Sequence, residues 1–448
     1  MGDDGRLTLA GAARDVADGL RSSSSLVEAC LARIAEREGE VKAWAFIDPE
    51  AARTAAAEAD AAKAAGVLRG PLHGVPIGVK DIIDVAGMPC GYGSPAFDGR
   101  RPRDDAACIR PLTAAGAVIL GKTATTEMAA MHPAATRNPL ALDRTPGGSS
   151  AGSAAAVADG MAFGALGTQT NGSVIRPASF CGVVGYKPSY GLIPRGGVLA
   201  CAPSLDTIGV FAGTVEDAAL LAETMMRFEE TDGASVSGAR RDIRATTMTD
   251  PPVTPKLACV EGPVWGRAED TTRAALGQLA DALGDKAVAT KHAGPLDRTI
   301  DLHRTVMLAE LAANYGAHLD RAPETYSRTL RDMRDAGAAV LATDYIVARA
   351  AQAALPAMLD EVFEDADAIL APAAPGEAPM GVEATGDPIF STMWQFLGLP
   401  SVTVPLLVGP NDLPLGAQLI GAWGDDARLL RTARWLMNQF IEAGDSDA

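Results

Sequence analysis

Histidine is scarce in this chain. Five residues, His73, His132, His292, His303 and His318, are scattered over 448 positions, and none stands beside a glycine-framed serine. A serine hydroxyl is a poor nucleophile until a neighbouring base takes its proton, a task that usually falls to histidine, so no Ser-His-Asp arrangement announces itself. Cysteine is scarce too. Cys30, Cys90, Cys108, Cys181, Cys201 and Cys259 lack paired metal-ligand spacing, and a chain of this size needs no disulfide framework; a reducing cytoplasm is the expected setting. No run of eighteen apolar residues occurs, which argues against a membrane-spanning helix. The segment Met1 to Arg6 is charged and lacks an apolar centre, so no signal peptide is expected. Basic runs are also missing: 39 Lys and Arg against 56 Asp and Glu leave a formal charge of -17, which speaks against nucleic acid or an anionic membrane as partner.

Glycine and serine, by contrast, are concentrated between Thr145 and Pro188. The cluster Gly147, Gly148, Ser149, Ser150, Ala151, Gly152, Ser153 is followed by Asn171, Gly172 and Ser173. Ala154 to Val157 continue the cluster as a helix, so it reads as a glycine-lined helix start suited to a developing anion. Upstream, Gly74-Val75-Pro76-Ile77-Gly78-Val79-Lys80-Asp81 places a lysine at the end of an apolar, strand-like segment, where an amine is costly to bury. Desolvation disfavours the ammonium form, and a lysine so depressed can replace histidine as the base for a serine. Each residue also has a plainer reading: Lys80 as a surface lysine just past a strand, Ser173 as an ordinary turn residue after Asn171 and Gly172.

The run Gly70 to Asp81, the glycine and serine cluster, and Gly172-Ser173-Val174-Ile175-Arg176-Pro177-Ala178 with Cys181 to Pro188 together resemble the amidase signature family. The resemblance is dense from Gly70 to Phe211 and looser from Gly398 to Gly421. It implies Ser173 as nucleophile, Ser149 as bridging serine after a cis peptide from Gly148, and Lys80 as base. It also implies an oxyanion hole made by the backbone N–H groups of Thr170, Asn171, Gly172 and Ser173, donors that stabilise charge developing on the carbonyl oxygen. Where many members carry aspartate and glycine, this chain has Gln169 and Asn171, and its arginine falls three residues after the nucleophile, at Arg176. That variant resembles malonamidase-type members, in which the arginine binds a substrate carboxylate. Arg176 could equally be pinned by an internal acid such as Asp206. Met128 and Met131, near a segment that borders the acyl pocket in relatives, could shape an apolar pocket for aryl amides, esters or carbamates, or be core methionines.

Two short motifs compete. Gly116 to Thr123 matches the P-loop pattern, but its intervening residues are themselves an apolar strand, preceded by a helical pattern over Asp105 to Ala115. Gly148-Ser149-Ser150-Ala151-Gly152 matches a nucleophile elbow centred on Ser150, which should follow a buried strand, whereas the polar run Asn138 to Pro146 precedes it.

The expected fold is α/β: one domain with a central mixed sheet covered by helices and a helical insertion over the active site. N-terminal helices fill 1–66. Ser25 with Glu28 forms a capping box before a helix stopped by Gly39, and Asp48 with Pro49 opens a second helix that ends at Gly66. The catalytic core occupies 70–225, and Glu229 to Pro255 reads as a surface loop. Helical periodicity dominates 265–363, as in Leu302 to Leu319 and Ala348 to Phe363, and this region is a candidate for substrate selection. The chain returns to the sheet over 366–448, with strands at Ala368 to Leu370 and Ser401 to Leu407 and a last helix from Asp426 to Ile441.

The expected activity is hydrolysis of a C–N acyl bond in a small amide through an acyl-enzyme, without metal or nucleotide, by a monomer or homodimer. The alternatives are a broad aryl amide, ester or carbamate (urethane) hydrolase and a glutaminase subunit of a tRNA-dependent amidotransferase; Gln169 and the shifted arginine argue against the latter.

Overall fold

The computed structural model describes residues 7–237, 242–290 and 294–445. The expectation for Met1 to Arg6, His292 and part of the loop before Pro255 lies outside the described residues.

Eleven strands form one mixed sheet: β1 Trp44–Ile47, β2 Pro76–Lys80, β3 Val118–Thr123, β4 Gly164–Gln169, β5 Val184–Lys187, β6 Thr207–Ala212, β7 Leu257–Val260, β8 Ala287–Thr290, β9 Ala368–Pro372, β10 Ser401–Val408 and β11 Pro414–Ile420. Their spatial order is β1-β3-β2-β4-β6-β5-β10-β11-β9-β7-β8. Parallel pairing joins β2 to both β3 and β4, and β7 to both β8 and β9; the other pairs are antiparallel. Every residue of β2 and β4 is buried. Strands covered on both faces carry continuous rather than alternating apolar sequence, which is why Pro-Ile-Gly-Val leads straight into Lys80.

Helices cover the sheet. Before the core lie α1 Leu9–Asp18, α2 Ser23–Val41 and α3 Pro49–Ala64. Asp48 accepts from the Ala51 N–H at 3.0 Å with Pro49 in the first turn, as expected. The capping box does not form. Ser22 caps α2 by accepting from the Ser25 N–H at 3.0 Å, because Asp60 of α3 holds the Ser23 and Ser24 N–H groups and Arg53 draws Glu28 away at 2.6 Å. The helix then runs through Gly39 to a left-handed cap at Lys42.

Within the core, α4 Ile109–Ala114, α5 Ala151–Ala158, α6 Ile175–Cys181 and α7 Val215–Met225 follow strands. The segment from 229 to 255 includes the short α8 Ile243–Thr247. The helical region holds α9 Asp270–Leu283, α10 Thr299–Arg321, α11 Arg328–Ala338, α12 Ala342–Ala354 and α13 Asp360–Asp365. It is not purely helical: β8, four residues long and too short to show a period, lies inside it and pairs with β7, just before it, to extend the sheet beside β9. Nor is Ala348 to Phe363 one helix. A 3-10 turn, Leu355–Leu359, separates α12 from α13 at Pro356, which cannot continue an α-helical ladder. The remaining helices are α14 Ile389–Phe396 and α15 Asp426–Asp445. An apolar cluster that includes Leu302, Val306, Ala348, Ile369, Trp394 and Phe396 seats α10, α12 and α14 over the strand ends.

Candidate active site

Open sheets with parallel strands place ligands beyond the strands' carboxyl ends. Here β2, β3 and β4 end together at Lys80, Thr123 and Gln169. Lys80 is fully buried, and its Nζ lies 2.7 Å from Ser149 Oγ and 2.8 Å from Thr168 Oγ1. Burial pushes its pKa down to about 7, against an opposing pull from Asp206 and Cys201. The surface reading of this lysine is therefore overturned: the amine titrates around neutral pH while in contact with a serine hydroxyl, and above that range it holds a lone pair.

The serine stands in a tight loop. Gly147 has φ +88°, a left-handed conformation that favours glycine, and a Cβ there would stand 2.7 Å from Pro177 Cα in α6. The Gly148-Ser149 bond is cis. Ser150, the centre of the rival elbow, is wholly buried: its Oγ donates to Thr168 O at 3.2 Å and accepts from the Thr168 N–H at 3.3 Å. It knits the loop to β4, and that engagement contradicts a nucleophilic Ser150.

Beyond β4 the chain turns through Thr170, Asn171, Gly172 and Ser173. Among the described residues, none of these four backbone N–H groups donates to a protein acceptor. The next two N–H groups, of Val174 and Ile175, both donate to Gln169 Oε1, at 2.9 and 3.1 Å. Gln169 thus ties down the α6 entry and leaves the preceding donors free. Its own amide donates to Gln395 Oε1 at 3.1 Å, while Thr392 Oγ1 donates to Asn171 Oδ1 at 2.7 Å. Both partners stand on α14, which also crowds Gly172: a Cβ there would stand 2.8 Å from Pro388. Ser173 is half-buried.

Arg176, in the first turn of α6, is 2% exposed. Its Nη2 donates to Gly148 O at 2.6 Å and to Thr385 Oγ1 at 3.2 Å, whereas its buried Nε and Nη1 have no protein partner. Burial pushes its pKa down to about 10. Asp206 does not pin it. That carboxylate accepts instead from Thr170 Oγ1 at 2.5 Å and from the Cys201 and Ala202 N–H groups at 2.8 and 2.9 Å.

A buried lysine on a serine, a run of free backbone donors and an arginine facing the same loop make a site suited to acyl transfer. The family model described as Amidase matches residues 25–430. The chain belongs to the amidase family. It is 35% identical over 489 aligned positions to a glutamyl-tRNA(Gln) amidotransferase subunit of Anaeromyxobacter sp. (strain K), with 96% of each chain covered. Two solved structures are similar. One is described as a vestigial protein complex that reveals the evolutionary origins of an s-triazine catabolic enzyme (TM-score 0.90, 27% identity, 96% of this chain and 98% of that one). The other is the native peptide amidase of Stenotrophomonas maltophilia (TM-score 0.84, 29% identity, 97% and 96% covered). This amidase is accordingly an enzyme of amide C–N bonds.

Lys80, Ser149 and the Thr170 to Ser173 turn stand around the ends of β2 and β4. Met128 is buried in the main apolar core and its carbonyl accepts from Tyr315 Oη at 2.8 Å, while Met131 is 42% exposed. The sequence pattern does not single out Thr168, Gln395, Thr392 or His303. Thr168 sits one residue before Gln169, where its hydroxyl is a local signal; the other three lie more than a hundred residues away and carry none.

The P-loop reading fails outright. Val118 to Thr123 is strand β3, and the Lys122 ammonium is buried, donating to Ile83 O at 2.6 Å and facing Asp81 Oδ1 at 3.4 Å. Removing one partner of a buried ion pair strands the other charge. Lys122→Met is expected to lower unfolding stability by about 3–5 kcal/mol, read from the chemical-denaturation midpoint; a loss below about 1 kcal/mol would show that Asp81 is held without it.

Proposed function

We propose that this amidase cleaves its substrate through an acyl-enzyme on Ser173, with Ser149 relaying the proton to Lys80. The observation that carries the reading is the 2.7 Å contact between a buried Lys80 amine and Ser149 Oγ, beside a turn of unengaged N–H groups. Ser173 Oγ attacks the carbonyl carbon as its proton passes to Ser149 Oγ, and the Ser149 proton passes to Lys80 Nζ. The carbonyl oxygen, now an anion, is met by N–H groups from Thr170 to Ser173, donors that are fixed before the reaction begins. The C–N bond then breaks, and the leaving nitrogen takes the proton back through the same relay. Water repeats the sequence on the ester, releasing the acid and restoring the serine.

The substrate we infer is a small amide whose acyl part bears a carboxylate. Arg176 supports it, because a buried guanidinium whose Nε and Nη1 have no protein partner keeps charged donors for a carboxylate. Arg176→Ala should cost on the order of 2–5 kcal/mol in kcat/KM for carboxylate-bearing amides, the scale of truncating one member of a desolvated charge pair, and clearly less for neutral amides, which feel only the lost bond to Gly148 O. A panel of paired amides, esters and carbamates with and without an acyl carboxylate reads this directly. Equal losses on both, with lowered thermal stability, would make Arg176 structural.

One observation favours a second reading: the end-to-end likeness to a glutamyl-tRNA(Gln) amidotransferase subunit. In that case the chain is a glutaminase that works with partner proteins. Size-exclusion chromatography with a glutamine turnover assay separates the two, since glutamine hydrolysis that appears only with added partners supports the complex, and turnover of simple amides by the isolated chain supports the free enzyme.

A further inference from the structure

Helix α10 belongs to the region between 265 and 363, yet it reaches the loops around the catalytic serines at four places. His303 Nε2 stands 2.9 Å from Thr170 O. Glu310 accepts from the Ser204 N–H at 2.8 Å and from the Ser204 hydroxyl. Asn314 Nδ2 donates to Cys201 O at 3.3 Å, and Tyr315 Oη donates to Met128 O at 2.8 Å. His303, Glu310 and Asn314 are spaced by seven and four residues, which sets them on one helical face. Of these contacts only that of His303 falls on the turn that carries the free donors.

We propose that His303 is a positioning residue: by donating Nε2–H to the Thr170 carbonyl it fixes the Thr170-Asn171 peptide plane and so aims the Asn171 N–H at the oxyanion. The inference rests on the reading that Thr170 to Ser173 form the oxyanion hole. In a trans peptide the carbonyl and the following N–H point in opposite directions. Anchoring Thr170 O on one side of the turn therefore orients the Asn171 N–H to the other. Thr170 O is acceptor only, so the hydrogen must lie on His303 Nε2. The ring is buried, and burial pushes its pKa down to about 4, so it does this work uncharged near neutral pH. The Thr170 side chain is held separately by Asp206 and the Asn171 side chain by Thr392. Neither of those bonds sets the rotation of the peptide between them. Through this contact the helical region acts on catalysis, not only on substrate selection.

The test compares the wild type with His303→Leu, His303→Gln and His303→Asn. Two quantities are measured on each protein: kcat and KM for p-nitrophenyl acetate, and the inhibition constant of phenylboronic acid, whose tetrahedral serine adduct places an oxygen where the oxyanion forms. His303→Leu is expected to lower kcat by up to about 100-fold, the scale of a misplaced catalytic group, with KM nearly unchanged, and to weaken the boronate by a matching factor. His303→Gln carries an N–H at the reach of Nε2 and should recover most of both. His303→Asn is one methylene shorter and should not. Unchanged boronate affinity in His303→Leu, or a loss confined to KM, overturns the inference. Should the leucine variant fail to fold, the Gln and Asn pair decides, and equal activities overturn it. A crystal structure of the wild-type adduct keeps the two levels apart: boron on a residue other than Ser173 would remove the oxyanion reading itself, and the role of His303 with it.

Discussion

Replacing Ser173 by alanine is expected to lower kcat by roughly 10⁶, the scale of deleting a serine nucleophile outright. Nothing else in the site can take its place. Ser149 is committed to Lys80 and Ser150 is buried against β4, so the residual rate would come from binding and the backbone donors alone. Stability should barely move. The Ser173 side chain is half-buried and makes no hydrogen bond to a described residue, so its loss belongs with surface substitutions, within about 0.5 kcal/mol. Steady-state kinetics and a denaturation curve on the same preparation check both halves; a variant keeping a tenth of the activity would remove Ser173 as nucleophile.

Lys80 gives the second large effect, and its sign follows from burial. The relay needs a neutral amine, and the folded protein holds Lys80 at about 7, below its ordinary 10.5. Activity should therefore rise with pH through a midpoint near 7 and level off above it. Lys80→Arg is expected to fall by at least about 10⁴, because a guanidinium stays charged and cannot accept the proton. The same shift leaves a mark on stability. Between about 7 and 10.5 the unfolded chain holds a proton that the folded chain lacks, so Lys80 makes stability rise with pH across that window. Lys187, buried and likewise pushed down to about 7, adds to this slope. Its Nζ donates to a backbone carbonyl, Pro188 O, at 2.8 Å, not to a serine hydroxyl. A stability titration therefore mixes two lysines with the buried cysteines, whose thiols burial pushes up and which act in the opposite sense toward the alkaline end, and the kinetic profile isolates Lys80.

How much of this could be read from the chain alone depended on whether the signal was local. Lys80 was legible because an apolar run ending in a charge is costly unless the charge is used. The serines were legible because glycines framed them. The Asp48 cap was legible too, since its whole mechanism lies within four residues. Four serines in a row, however, gave α2 several possible caps, and the choice of Ser22 was made by Asp60 and Arg53 on a neighbouring helix. The same holds in the site. Gln169 looked like a departure from pattern, yet it ties down the α6 entry through the Val174 and Ile175 N–H groups, and its partner Gln395 lies on α14. Asp206, one alternative partner for Arg176, is engaged elsewhere for a similar reason: its partners Thr170, Cys201 and Ala202 cannot be chosen from sequence over Arg176. His303 stood among scattered histidines with nothing beside it to suggest a carbonyl from β4's outgoing turn.

The most direct measurement is the rate at which a fluorophosphonate labels the protein as a function of pH, with the labelled residue identified by peptide mass spectrometry. A single adduct on Ser173, formed at a rate that rises with pH about a midpoint near 7 and is abolished in Lys80→Met, is the expected result. An adduct on Ser150, or labelling of Ser173 that is indifferent both to pH and to the loss of Lys80, would contradict the relay from Ser173 through Ser149 to Lys80.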